Sequence, residues 1–184
     1  MERTRSVCVY CGSRAGHDPA YLAAAEELGL LIAGEGWRLV YGAGDIGIMG
    51  RTAAAAQGAG ATALGVIPVH LQSREVARES LTMLIVTENM HERKKVMFMN
   101  ADAIVVLPGG AGTLDEFFEV LTWKQIGLHR KPIFLVDAGG FWGPLVALID
   151  HVIASGFAEP SLRDLITVVP DVAALGPRLR GALG

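Results

Sequence analysis

From Pro108 to Trp123 the chain reads PGGAGTLDEFFEVLTW. Gly109, Gly110, Gly112 and Thr113 crowd between a strand-like run, AIVVLP, and a helical pattern. Backbone N–H groups at such a turn point outward, and the following helix's dipole favours an anion there. The G-K-[ST] ending of a triphosphate loop is absent, so the turn suits binding a monophosphate better than cleaving a triphosphate. Two carboxylates, Asp115 and Glu116, follow at once. Thr113 and Glu116 also stand at capping-box spacing, with the helix running from about Leu114 to Ile126 and Glu116 reaching back to the Thr113 N–H.

A second charged segment is NMHERKK, Asn89 to Lys95. On a helix Met90, Arg93, Lys94 and Met97 share one face. Charge patterning reads the two cations as surface groups flanking packed methionines. The functional alternative aims a planar arginine at a phosphate or a purine edge. Two more glycine-rich turns, CGSRAG and YGAGDIG, also follow strand-like runs and bring in Gly12, Ser13, Gly42 and Gly44. GAGDIG matches the dinucleotide fingerprint G-x-G-x-x-G, but the next strand ends in Pro68, Val69 and His70 with no acid for a ribose. A tight turn with close helix–strand packing explains it as well. Cys8 and Cys11, the only cysteines, read as a buried strand residue and a turn residue, because no second pair completes a zinc set.

These turns need a scaffold that brings them to one edge. Short apolar runs (SVCVY, WRLVY, TALGVIP, LTMLIVT, AIVVLP, PIFLV, ITVVP) alternate with helical stretches along all 184 residues. Asp18-Pro19 marks a helix start, and Gly34 and Gly36 its stop. A last short helix, DVAALGPRLRG, carries Pro177 near a weakened end. Alternation with unbroken apolar strands predicts an α/β fold, a Rossmann-like doubly wound parallel sheet with helices on both faces. Ligands in such folds bind at the carboxyl ends of the strands, where all three glycine turns fall. No linker or repeat interrupts the pattern, so one domain spans 1–184. Sixteen Lys and Arg against nineteen Asp and Glu do not advertise nucleic acid or membrane as a partner. No apolar run reaches a membrane span, no secretory signal opens the chain, and the cysteine use fits a reducing cytoplasm.

Taken together, VCVYCGS, LVYGAGDIGIMG, GVIP, SRE, MHERK, LPGGAGTLDE, EVLTWKQIG and HRKP resemble the Lonely Guy (LOG) family of cytokinin riboside 5′-monophosphate phosphoribohydrolases, also labelled lysine decarboxylase-like. The likeness covers nearly the whole chain. It implies catalytic roles for Arg93 and Glu116. It implies phosphate binding by Gly109 to Thr113, and substrate contacts at Glu75, Met90, Lys94 and Thr122. It also implies a homodimer with sites near the subunit interface. No cofactor or metal is required, and no residue pattern supports the pyridoxal phosphate of a lysine decarboxylase. Ala111, Asp115, Ala43 and Asp45 depart from the commonest family residues, which bears on a prenylated base against plain adenine.

The resemblance answers why an anion cradle adjoins an acid. A nucleoside monophosphate carries a phosphate at one end and a glycosidic carbon a few ångströms away. Breaking that bond builds oxocarbenium-like charge on the ribose, which a carboxylate stabilises. The expected reaction is hydrolysis of N6-modified AMP to free base and ribose 5-phosphate. The alternatives are a broader AMP or nucleoside monophosphate glycosidase and a non-catalytic carrier of a phosphorylated ligand such as molybdenum cofactor.

Overall fold

A computed structural model of the chain describes residues 4–72 and 81–184. Strands β1 (Ser6–Tyr10), β2 (Arg38–Tyr41), β3 (Ala63–Pro68), β4 (Met83–Thr87), β5 (Ala103–Val106), β6 (Ile133–Val136) and β7 (Thr167–Val169) form one sheet. Its order is β4-β3-β2-β1-β5-β6-β7, and every pairing is parallel. The chain first steps outward from β1 to β4, then returns to the other side of β1 at β5. That reversal splays the loops after β1 and β5 to opposite faces and leaves a crevice between them.

Helices α1 (Pro19–Gly34), α2 (Gly47–Gly58) and α6 (Val172–Leu183) cover one face. Helices α3 (Met90–Met99), α4 (Ala111–Gln125) and α5 (Gly143–Ala154) cover the other. Strands β1, β3, β5 and β6 are buried along their whole length, as unbroken apolar runs require. Strand β4 is the exception. Met83 to Val86 are exposed at the sheet edge although all four are apolar.

Local chemistry sets the helix ends. The Asp18 carboxylate accepts from the Ala20 N–H at 2.8 Å, and Pro19 opens α1. The alanine run of α2 has a packing role: Gly29 of α1 lies so close to it that a Cβ would meet Thr52 O at 2.5 Å and Ala55 Cβ at 2.7 Å. Small residues on both helices permit that approach. Helix α6 runs through Pro177 as expected and continues to Leu183, past the expected weakened end at Gly181. Buried Val172, Leu175, Leu179 and Leu183 hold it on the sheet, and that packing offsets the missing N–H.

Candidate active site

The crevice is sealed at its base by the two loops that form it. Gly12 N–H donates to Pro108 O at 3.0 Å, and a Cβ on Gly12 would sit 3.2 Å from Gly109 Cα. The Met49 N–H in turn donates to Gly12 O at 3.1 Å, tying α2 to the same loop. Above this floor lies a cavity of about 480 Å³, room enough for a small organic ligand.

One wall is the N-terminus of α4. The helix starts at Ala111 with Gly110 as N-cap and no side-chain cap. This corrects the expected start at Leu114, and with it the capping box. Thr113 already lies inside the first turn, so Glu116 sits a full turn into the helix. Among the described residues no side chain caps the amides of this first turn, whereas the N-termini of α1, α3 and α6 are capped by Asp18, Asn89 and Asp171. Gly109, Gly110, Ala111, Gly112 and Thr113 all line the cavity. Gly109 is required by its neighbours, because a Cβ there would run into the Thr113 side chain. Gly110 and Gly112 have open space where a Cβ would stand.

The opposite wall carries Arg93. A cap resembling the capping box forms here: the Asn89 side chain accepts from the Glu92 N–H at 3.0 Å, and the Glu92 carboxylate accepts from the Glu88 N–H at 2.9 Å. With α3 so anchored, Arg93 turns inward and is 5% exposed. Its Nε donates to Val66 O at 3.0 Å and its Nη2 to Gly42 O at 2.8 Å. The guanidinium therefore spans the carboxyl ends of β2 and β3. A Cβ on Gly42 would occupy the place of Nη2. Next to it Ala43 adopts φ 63°, a left-handed conformation unusual for a residue with a Cβ. The reading of Arg93 and Lys94 as surface cations fails, since both are buried.

Glu116 is likewise buried and lines the cavity with Arg93. Burial, opposed by the Arg93 guanidinium and aided by the Asp115 charge, leaves its carboxyl raised to about 7. Cys8 and Cys11 are buried free thiols, and burial with the nearby Glu116 charge raises both well above their ordinary range. Cys11 is a cavity wall residue and stays a neutral thiol.

Of the residues singled out by sequence, Gly12, Ser13, Met90, Arg93, Gly109, Gly110, Gly112, Thr113 and Glu116 come together around the cavity. Gly42 acts from behind, through the carbonyl that holds Arg93. The Gly44 N–H donates to Met49 Sδ at 3.1 Å inside the fold. Lys94 is turned to Asp115 and Glu119, away from the cavity lining. Thr122 is exposed on α4 and does not line the cavity, and Glu75 lies outside the described residues. Arg14, Gly16, Tyr21, Ile48, Met49 and Phe141 line it without having been anticipated. Arg14 and Gly16 belong to a glycine turn already flagged. Tyr21 and Phe141, in edge contact at 5.5 Å, come from distant segments that only the fold unites. Among the described residues no cluster of three or more His, Cys, Asp or Glu could hold a metal ion. No described helix is long and apolar enough to cross a membrane.

Comparison with known proteins agrees with this geometry. A family model described as "Possible lysine decarboxylase" matches residues 49–179. The protein named cytokinin riboside 5′-monophosphate phosphoribohydrolase LOG from Oryza sativa subsp. japonica is 43% identical over 173 residues, which are 94% of this chain and 72% of the rice protein. A phosphoribohydrolase of the same name series from Arabidopsis thaliana is 41% identical over 179 residues, covering 95% of this chain and 82% of its own. Among solved structures, the molybdenum cofactor carrier protein of Chlamydomonas reinhardtii superposes with a TM-score of 0.76 at 25% identity, covering 98% of this chain and 99% of the carrier. By the span of the family model and by these identities, the chain belongs to the LOG family of cytokinin riboside 5′-monophosphate phosphoribohydrolases.

Proposed function

We propose that the chain hydrolyses the N-glycosidic bond of cytokinin riboside 5′-monophosphates, releasing the N6-modified adenine and ribose 5-phosphate. The observation that carries this reading is the pairing of a buried carboxyl, Glu116, with a buried guanidinium, Arg93, beside a helix N-terminus that has no side-chain cap.

The first-turn amides of α4 hold the 5′-phosphate, and the dipole adds to their attraction. Glu116, as carboxylate, stabilises the positive charge that develops on the ribose and takes a proton from the attacking water. The water oxygen bonds to the anomeric carbon while the electrons of the C–N bond leave with the base. Arg93 stabilises the negative charge on the departing base or the phosphate. Its part is electrostatic, since guanidinium groups do not serve as proton donors in proteins. The departing base takes its proton from solvent. Lys94 does not support a decarboxylase reading. Burial pulls its amine down, but hydrogen bonds to Asp115 and Glu119 outweigh that and hold it above the ordinary range. A Schiff-base lysine needs the opposite shift.

The reading extends to one domain over 1–184 acting in the cytoplasm as a homodimer, with no nucleic acid or membrane partner. Exposed Phe118, Ile126 and Leu128 on and just after α4 support a subunit contact near the site.

The test is release of the free base from isopentenyladenosine monophosphate, AMP and unphosphorylated isopentenyladenosine. The expected order is fast, slow and undetectable. Equal rates on AMP would favour the broader glycosidase. The likeness to a molybdenum cofactor carrier keeps one other reading in play: tight binding of a phosphorylated pterin with no base released from any nucleotide would establish it.

A further inference from the structure

We propose that Lys94 is a positioning residue: an ammonium strut between α3 and α4 that fixes how Arg93 faces Glu116 and balances the two carboxylates flanking Glu116. The proposal rests on the glycosidase reading only for the roles of Arg93 and Glu116.

Consecutive helical residues point about 100° apart. So Arg93 enters the cavity wall while Lys94, equally buried, runs sideways to α4. Its Nζ reaches Asp115 Oδ2 at 2.9 Å and Glu119 Oε1 at 3.2 Å. These acids stand four residues apart on one side of α4, and Glu116 projects between them in sequence but inward. One turn further along both helices, Phe98 meets Trp123 edge-on at 5.0 Å. Helices α3 and α4 are thus joined by two rungs, one ionic beside the catalytic pair and one aromatic beyond it. The ionic rung is the costly one, because it takes a lysine out of water. A surface ion pair would not need that burial.

The charges facing Glu116 come from three elements. Arg93 and Lys94 of α3 favour its ionised form, and Asp115 and Glu119 of α4 oppose it. Cys8 and Tyr10 of β1, and Cys11 just after it, are neutral, since burial holds all three well above neutrality. Deleting Lys94 removes one favourable charge and frees two unfavourable ones. Neutralising Asp115 and Glu119 does the reverse.

The experiment compares Lys94→Met, Asp115→Asn/Glu119→Gln and the triple variant, each checked for folding by melting. The aromatic rung is intact in all three. Two readouts are taken from pH 5.5 to 9: ribose 5-phosphate release, and titration of the Glu116 carboxyl by 13C NMR. For Lys94→Met, kcat falls roughly 10- to 100-fold with KM within about threefold, and the Glu116 titration moves up by about one pH unit. The double variant moves it down by a similar amount, and the triple variant returns it close to wild type. Glu116 titrating alike in every folded variant would overturn the proposal and leave Lys94 a structural tie. A dominant rise in KM would overturn it differently, by making Lys94 a substrate contact. If wild type releases no ribose 5-phosphate, the glycosidase reading fails, while the NMR titration still decides for or against the strut.

Discussion

Two glycine turns leave the sheet toward helices, YGAGDIG after β2 and PGGAG after β5, and on paper they look alike. Folded, they do opposite things. In the first, glycine makes room for the protein itself: Arg93 fills the space beside Gly42, and a Cβ on Gly47 would meet Ser13 O and Arg14 N. In the second, Gly109 packs against Thr113, but Gly110 and Gly112 face open space at an N-terminus without a side-chain cap. One turn holds a cation from behind. The other leaves room for an anion in front. A glycine pattern therefore marks close approach and does not say whether the visitor is a side chain or a ligand.

Substitutions should break the two turns differently. Within the two turns, the largest effect is expected from Gly42→Ala. Its methyl displaces the Arg93 guanidinium from the Gly42 carbonyl, so kcat/KM falls more than about 100-fold, and melting shows a loss of about 2 kcal/mol as a buried cation loses its acceptor. Next comes pH. With Glu116 near 7, activity falls about tenfold per pH unit below neutrality. Stability runs the other way. The folded carboxyl holds its proton more tightly than the unfolded one, so its contribution is complete below about 4.5 and is lost as pH rises through about 7. Glu116→Gln lacks that loss, so its stability relative to wild type should improve by about 1–3 kcal/mol between pH 5 and pH 8, read as paired melting curves.

Gly112→Ala should separate binding from folding. Helix propensity raises stability by about 0.5–1 kcal/mol, while a methyl in the cradle raises KM about tenfold with little change in kcat. An unchanged KM would remove the phosphate from this turn. The smallest effect is expected from Ala43→Gly. Relief of the positive φ and loss of a buried methyl nearly cancel, leaving a net gain of about 0.5 kcal/mol and normal turnover.

Period and composition made the strands and the sheet class legible. They could not show that β5 returns beside β1, and the crevice depends on that neighbour relation. The start of α4 was misread for a definite reason. Thr113 and Glu116 imitate a capping box, while the true start, Gly110-Ala111, has no side chain to act as a cap. The working cap lies in the other motif, at Asn89 and Glu92. Charge patterning placed Arg93 at the surface, since the carbonyls that bury it come from Val66 and Gly42, 27 and 51 residues away. Tyr21 and Phe141 were missed for the same reason. Neither carries a local signal, and their contact exists only after the first turn of α1 meets the segment following β6.

In the proposed reaction Glu116 is the group that answers the positive charge on the ribose. Ribose 5-phosphate release from isopentenyladenosine monophosphate by wild type and by Glu116→Gln, both folded by melting, tests it most directly. The expected result is a loss of at least about 1000-fold in kcat with KM within a few-fold of wild type. A folded Glu116→Gln variant that keeps more than about a tenth of the wild-type rate would contradict it.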